Sequence, residues 1–130
     1  MSLIEQLMPQ DVEAALVAHL AQSVGCDVGT RVPNPRPEKF VRVRRTGGIT
    51  GRFFEQPTLL VECWATSEPD AFDIAKAASS ALAAAAGTWI TEDTWINDTE
   101  VGGLVNFDDP STSCPRYQFT ARLWLRLAPA

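Results

Sequence analysis

The residues that could do chemistry are few and poorly placed for it. The 130-residue chain has one histidine, His19, and three cysteines, Cys26, Cys63 and Cys114, far apart in the sequence. Catalysis needs a nucleophile, base or metal held where one group activates another. No Cys-x-x-Cys pair exists and no cysteine neighbours His19, so the spacing supports neither a zinc site nor a disulfide framework. Reduced thiols in a cytosolic product fit this pattern best. Gly47-Gly48-Ile49-Thr50-Gly51 lacks the spacing and the lysine of a phosphate cradle and reads as a flexible loop. Asp108-Asp109 offers two adjacent carboxylates without further spaced oxygen ligands, which reads as a solvated loop rather than a cation site. His19 lies on an apolar helical stripe and Cys63 on the inward face of a strand, so both read as packing residues. Trp64, Trp89, Trp95 and Trp124 read as core or interface aromatics.

The charges carry more information than the nucleophiles. Eleven Lys+Arg face sixteen Asp+Glu, a formal net charge of −5. That balance excludes a general nucleic-acid binder, which carries a basic surface. The distribution is uneven. Residues 31 to 52 hold seven bases (Arg31, Arg36, Lys39, Arg42, Arg44, Arg45, Arg52) and one acid, Glu38. Residues 92 to 109 hold six acids (Glu92, Asp93, Asp98, Glu100, Asp108, Asp109) and no base. Such segments can pair within one subunit, or the basic patch can meet the acidic patch of a neighbour and close a ring. Nine of the eleven cations are Arg, the cation favoured at interfaces, although high-GC coding gives the same skew. On the inter-subunit reading the contact would use Arg42, Arg44, Arg45, Arg52, Asp93, Asp98, Glu100 and Trp124. Trp124 would anchor it from between Arg122 and Arg126, or else lie against the second helix.

These groups must be positioned by a chain the length of one domain, with 45% hydrophobic residues and no apolar run near the ~18 residues of a membrane span. Residues 1 to 8 lack the pattern of a secretory leader. A first helix is expected from near Pro9, with Val12, Ala15, Leu16, His19 and Leu20 on its apolar stripe and a stop at Gly25. A short strand is expected within 27–32, followed by an extended Pro33-x-Pro35-x-Pro37 segment. Residues 40–45 alternate, with Val41 and Val43 inward and Arg42 and Arg44 on a wet face. Residues 46–51 read as a turn and 58–64 as the returning strand, with Leu59, Val61 and Cys63 inward. Ser67-Glu68-Pro69-Asp70 starts a second helix through Phe72, Ala75, Ser79 and Leu82 to Gly87. Residues 89–107 hold one or two strands broken at Gly102-Gly103. The alternation from Tyr117 to Leu127 is the strongest signal: a long antiparallel strand with one buried face.

In this order of elements the chain resembles tail terminator (tail completion) proteins of long-tailed bacteriophages, particularly of actinobacterial hosts. The resemblance rests on Asp11-Val12-Glu13, on the segment from Pro33 through Phe40-Val41-Arg42-Val43-Arg44-Arg45-Thr46-Gly47-Gly48, and on Leu60-Val61-Glu62-Cys63-Trp64-Ala65 before an Ala-rich helix. It continues in Pro115-Arg116-Tyr117-Gln118-Phe119-Thr120 and the strand closing on Leu125-Arg126. None of these is a catalytic motif. The resemblance implies a single α+β domain, a mostly antiparallel sheet with two helices packed on one face. It also implies a homohexameric ring in the virion, at the tail–neck junction, made in the bacterial cytoplasm. Such a ring caps the major tail tube protein, ends polymerisation and docks the head-tail connector or stopper protein. DNA passes through its lumen without sequence recognition, and no enzyme activity, cofactor or membrane is involved. A head-closure or neck adaptor protein, or a small cytosolic ligand-binding accessory domain, are the competing readings.

Overall fold

A computed structural model describes residues 7–129. Most of the segment read for a leader lies outside them. In chain order the elements are β1 (Leu7–Met8), α1 (Val12–Ala21), β2 (Asp27–Gly29), β3 (Phe40–Thr50), β4 (Phe54–Trp64), α2 (Glu68–Ala84), β5 (Thr88–Trp89), β6 (Trp95–Ile96), β7 (Asp98–Val101), β8 (Val105–Asn106), β9 (Arg116–Arg126) and β10 (Ala128–Pro129). The main sheet runs β2-β3-β4-β9-β7, with β8 also on β9, and only the β2–β3 pairing is parallel. The architecture is therefore α+β with a mostly antiparallel sheet.

Register explains why one face is dry. Cross-strand partners share a face, so the pairings line up Val41 with Cys63 and Tyr117, and Val43 with Val61 and Phe119. Leu59 and Ala121 follow in the next row. Helix α1 covers this face with Val12, Leu16 and Leu20, and α2 with Ala71, Ile74, Ala75, Ala78 and Leu82. The alanines let α2 lie close to the strands, since each side chain ends at Cβ. Along β9, Phe119, Ala121, Leu123 and Leu125 are all buried and Leu127 just follows, as the alternation predicts.

Several boundaries differ from expectation. Helix α1 starts later than Pro9 because Asp11 is its N-cap, its carboxylate accepting from the Ala14 N–H, and it ends well before Gly25. Helix α2 is capped by the Ser67 hydroxyl as expected, but it ends at Ala84, before Gly87. Phe72 projects sideways from α2 and meets Tyr117 edge-on instead of entering the core. Residues 89–107 contain parts of four short strands, with the break at Gly102-Gly103 where it was expected.

The largest correction concerns residues 46–51, read as a turn: 46–50 continue β3. The register shifts between Arg45 and Gly47, and Gly47 and Gly48 take φ of 143° and 111°. A Cβ at Gly48 would overlap the Gln56 carbonyl oxygen and sit 2.8 Å from the Pro57 Cα. The glycines thus make a bulge inside a strand, and the hairpin turns only at 51–53.

A second correction concerns the face of the sheet away from the helices. At the start of β3 that face is not wet. Phe40 is buried and stacks on Trp64 of β4, ring centroids 4.5 Å apart. The ten residues 30–39 that join the parallel strands β2 and β3 contain no helix. Arg36 holds them down, its guanidinium 5.3 Å above the Trp64 ring and 3.3 Å from Asp109.

Candidate assembly interface

Placing each charged side chain turns the segment counts into a smaller set. Arg42 donates from Nε to Glu62 at 2.8 Å, and its Nη2 lies 2.7 Å from the same carboxylate. Arg116 reaches the other oxygen of Glu62 at 3.0 Å. Glu62 is almost fully buried, so two guanidinium groups hold one desolvated carboxylate. Arg36, Arg42 and Arg116 all lie 5.3 to 5.5 Å from the Trp64 ring centroid.

Asp109 closes the same cluster and corrects the solvated-loop reading of Asp108-Asp109. It is buried, and its carboxylate accepts from the Trp64 indole at 2.9 Å, from Arg36 at 3.3 Å and from the Ser111 N–H at 2.9 Å. Burial alone would raise its pKa. The Ser111, Trp64 and Arg36 hydrogen bonds and the Arg116 charge outweigh it, and the carboxyl sits below its ordinary value. Asp108 beside it is exposed.

Arg45 lies on the helix-covered face. Its guanidinium pairs with the fully buried Glu55 at 3.0 Å and donates to the Gln10 carbonyl at 2.9 Å, while its backbone N–H donates to Glu13. Gln10 in turn donates to Glu55 and to the Arg126 carbonyl, and accepts from Thr94. Arg45 therefore fixes the entry to α1.

The remaining cations divide differently. Lys39 pairs loosely with Asp70 at 3.8 Å, and Arg31 lies exposed between β2 and β3. Arg44 and Arg52 are exposed and make no ion pair among the described residues; Arg52 lies over the Phe53 ring. On the acidic side, Glu92 and Asp93 are exposed in the β5–β6 turn, and Asp98 and Glu100 on β7. Glu100 sits 4.0 Å from Arg122, an exposed pair of little energetic weight. Asp98 is the cross-strand partner of the half-buried Trp124.

Of the eight residues read as an interface, the structure thus engages Arg42 and Arg45 internally. It leaves Arg44, Arg52, Asp93, Asp98 and Glu100 facing solvent, and Trp124 partly so. It adds apolar groups that charge counting missed. Ile49, Phe53 and Phe54 are exposed around the hairpin tip, and Trp89 is 63% exposed, edge-on to Trp95 at 5.5 Å. Phe54 pairs with Arg126, and Trp89, Trp95 and Arg126 line one shallow cleft, which gathers these groups at the end of the sheet where β9 finishes. Phe72, Val105 and Phe107 are exposed at the other end, where β9 begins. The signal in the sequence was Ile49 inside a Gly-x-x-Gly tract and Phe53-Phe54 just after it, which reads equally as a buried strand.

Cys26 and Cys63 are poorly placed as nucleophiles. Burial pushes both Cys63 and Cys26 up, with Asp27 adding to the second, and the thiolate is the reactive form. Half-buried His19 lies in the last turn of α1. Among the described residues no group of three or more His, Cys, Asp or Glu is placed to hold a metal, and no helix is long and apolar enough to cross a membrane.

No protein-family model matches the chain, and no curated protein does. Solved structures do resemble it. One is a chain from the virion of a native gene transfer agent particle, 20% identical, matching over 88% of this chain and 94% of that one with a TM-score of 0.50. At that identity the likeness is one of fold.

Proposed function

We propose that this protein is a structural component of a phage-like virion. The reading is carried by the fold likeness to a component of a gene transfer agent virion over nearly the whole of both chains. Within that class we assign it the role of a tail terminator. A homohexameric ring caps the major tail tube protein at the tail–neck junction, stops polymerisation and offers its far side to the connector or stopper protein. A cap needs two docking sides, and the exposed apolar groups at opposite ends of the sheet supply candidates for them: Ile49, Phe53, Phe54 and Trp89 at one, Phe72, Val105 and Phe107 at the other. Its work is binding rather than catalysis, and DNA passes the ring without base recognition, in keeping with the net charge of −5.

The test is assembly of tails with and without the protein, imaged in negative stain. Without it, tails should over-extend or fail to join heads. Tails of controlled length that join heads normally would exclude the role.

A further inference from the structure

The sheet order carries a consequence for how two copies meet. Strands β3 and β7 lie at opposite sides of the sheet, separated by β4 and β9, so about 14 Å apart at the usual strand spacing. From Arg44 onward no described strand lies outside β3, since β2 covers only Phe40–Arg42; on that stretch the Arg45 N–H is taken by Glu13 of α1. No described strand lies outside β7 either. Uncovered strand edges are normally blunted, because their free N–H and C=O groups template pairing with another chain. Here each edge carries exposed charge of one sign: Arg44 and Arg52 on the β3 side, Asp98 and Glu100 on β7.

We infer that the outer edge of β3 beyond Arg44 docks on the β7 edge of a second copy of this chain, Arg44 and Arg52 facing the neighbour's Asp98 and Glu100. The signs decide the geometry. A two-fold contact of β3 with β3 would set Arg44 and Arg52 against themselves, and β7 with β7 would oppose four carboxylates; like charges face to face are destabilising. Only the unlike edges match, so the contact is head-to-tail and propagates into a ring or a filament. The occupant is a second copy because both halves of the match lie on one chain. Arg42 and Arg45 do not take part: Glu62 and Glu55 already hold them. Exposed Ile49 supplies apolar area on the same hairpin. Built from solvent-facing charges, the contact weakens as salt shortens the screening length.

The inference rests on the ring reading but is measured separately, by sedimentation velocity of the full chain across concentration at low salt. The paired change Arg44→Glu with Arg52→Glu should weaken association about tenfold, as should Asp98→Arg with Glu100→Arg. Lys76→Glu, a single charge reversal of the same sign on the exposed side of α2, should leave association as in the unaltered chain. Each reversed variant repels itself, but an equimolar mixture of the two restores matched edges and should recover association. The changed residues are exposed, so an unaltered circular dichroism spectrum and melting temperature separate loss of contact from loss of fold. Unchanged association in the Arg variant, no recovery in the mixture, or a monomer at every concentration overturns the contact. If the unaltered protein forms rings that ignore these charges, the edge assignment fails and the capping role stands. If tails need no cap while the edges still respond, the role fails and the contact stands.

Discussion

The two halves of the β3–β4 hairpin share strands and antiparallel pairing, yet they are different materials. In the near half, Phe40–Val43 and Val61–Trp64, helices cover one face and the Trp64 cluster the other, and every residue but the half-buried Arg42 is buried. In the far half, residues 46–54 form an unbroken exposed run. The near half's Arg42 is held by Glu62, and Arg45, at the boundary between the halves, by Glu55. Beyond the near half, Arg44 and Arg52 have no ion-pair partner among the described residues. A run of like charge along a sequence is therefore not a patch on a surface. What decides is whether a carboxylate from elsewhere, here Glu55, Glu62 or Asp109, was folded against each cation.

Substitutions along the hairpin should reproduce that gradient. The steepest loss is expected for Trp64→Ala, which removes the stacking partner of Phe40 and the donor to Asp109; thermal or urea unfolding should show about 3–5 kcal/mol less stability. Glu62→Gln should follow with about 3 kcal/mol, because it leaves Arg42 and the buried Arg116 without their counter-charge. A loss under 1 kcal/mol there would mean that the cluster is solvated and the contrast between the halves is overstated. Gly48→Ala, at the boundary, should cost about 1–3 kcal/mol through its left-handed φ and the crowding at Gln56. Amide exchange should place the loosening in residues 46–58.

Acid probes the Trp64 cluster through Asp109. The Asp109 carboxyl lies below its ordinary value in the folded chain, so it adds stability above the unfolded carboxylate range, and that stability is lost as pH falls through the folded value. Asp109→Asn should flatten the pH dependence of the melting temperature below about pH 4. The smallest stability effect belongs to the far half: Ile49→Ser and Phe53→Ser should stay within about 0.5 kcal/mol of the parent. If either destabilises like a core residue, the far half is packed and not a docking arm.

Legibility in the sequence followed the same division. The apolar stripes of α1 and β9, the Ser67 cap and the inward Leu59, Val61 and Cys63 could be read because period and capping chemistry are local. The second covered face could not, since it depends on Arg36 and Asp109, seventy-three residues apart, meeting at one indole. Nor could the extension of β3 through Gly47-Gly48, because the glycines that signal a turn also permit a bulge. Of the interface candidates, residue type alone gave no means of separating Arg42 and Arg45 from Arg44 and Arg52.

The connection between β2 and β3 has one further implication. Its ten residues carry three prolines and no helix, and two tethers hold them: Arg36 on the Trp64 cluster, and the exposed Lys39–Asp70 pair. The second is weak, so Arg36→Ala should turn a latched strap into an open loop. The exposed Arg31 then becomes a trypsin site, and a time course of limited digestion would read the latch as a cleavage rate.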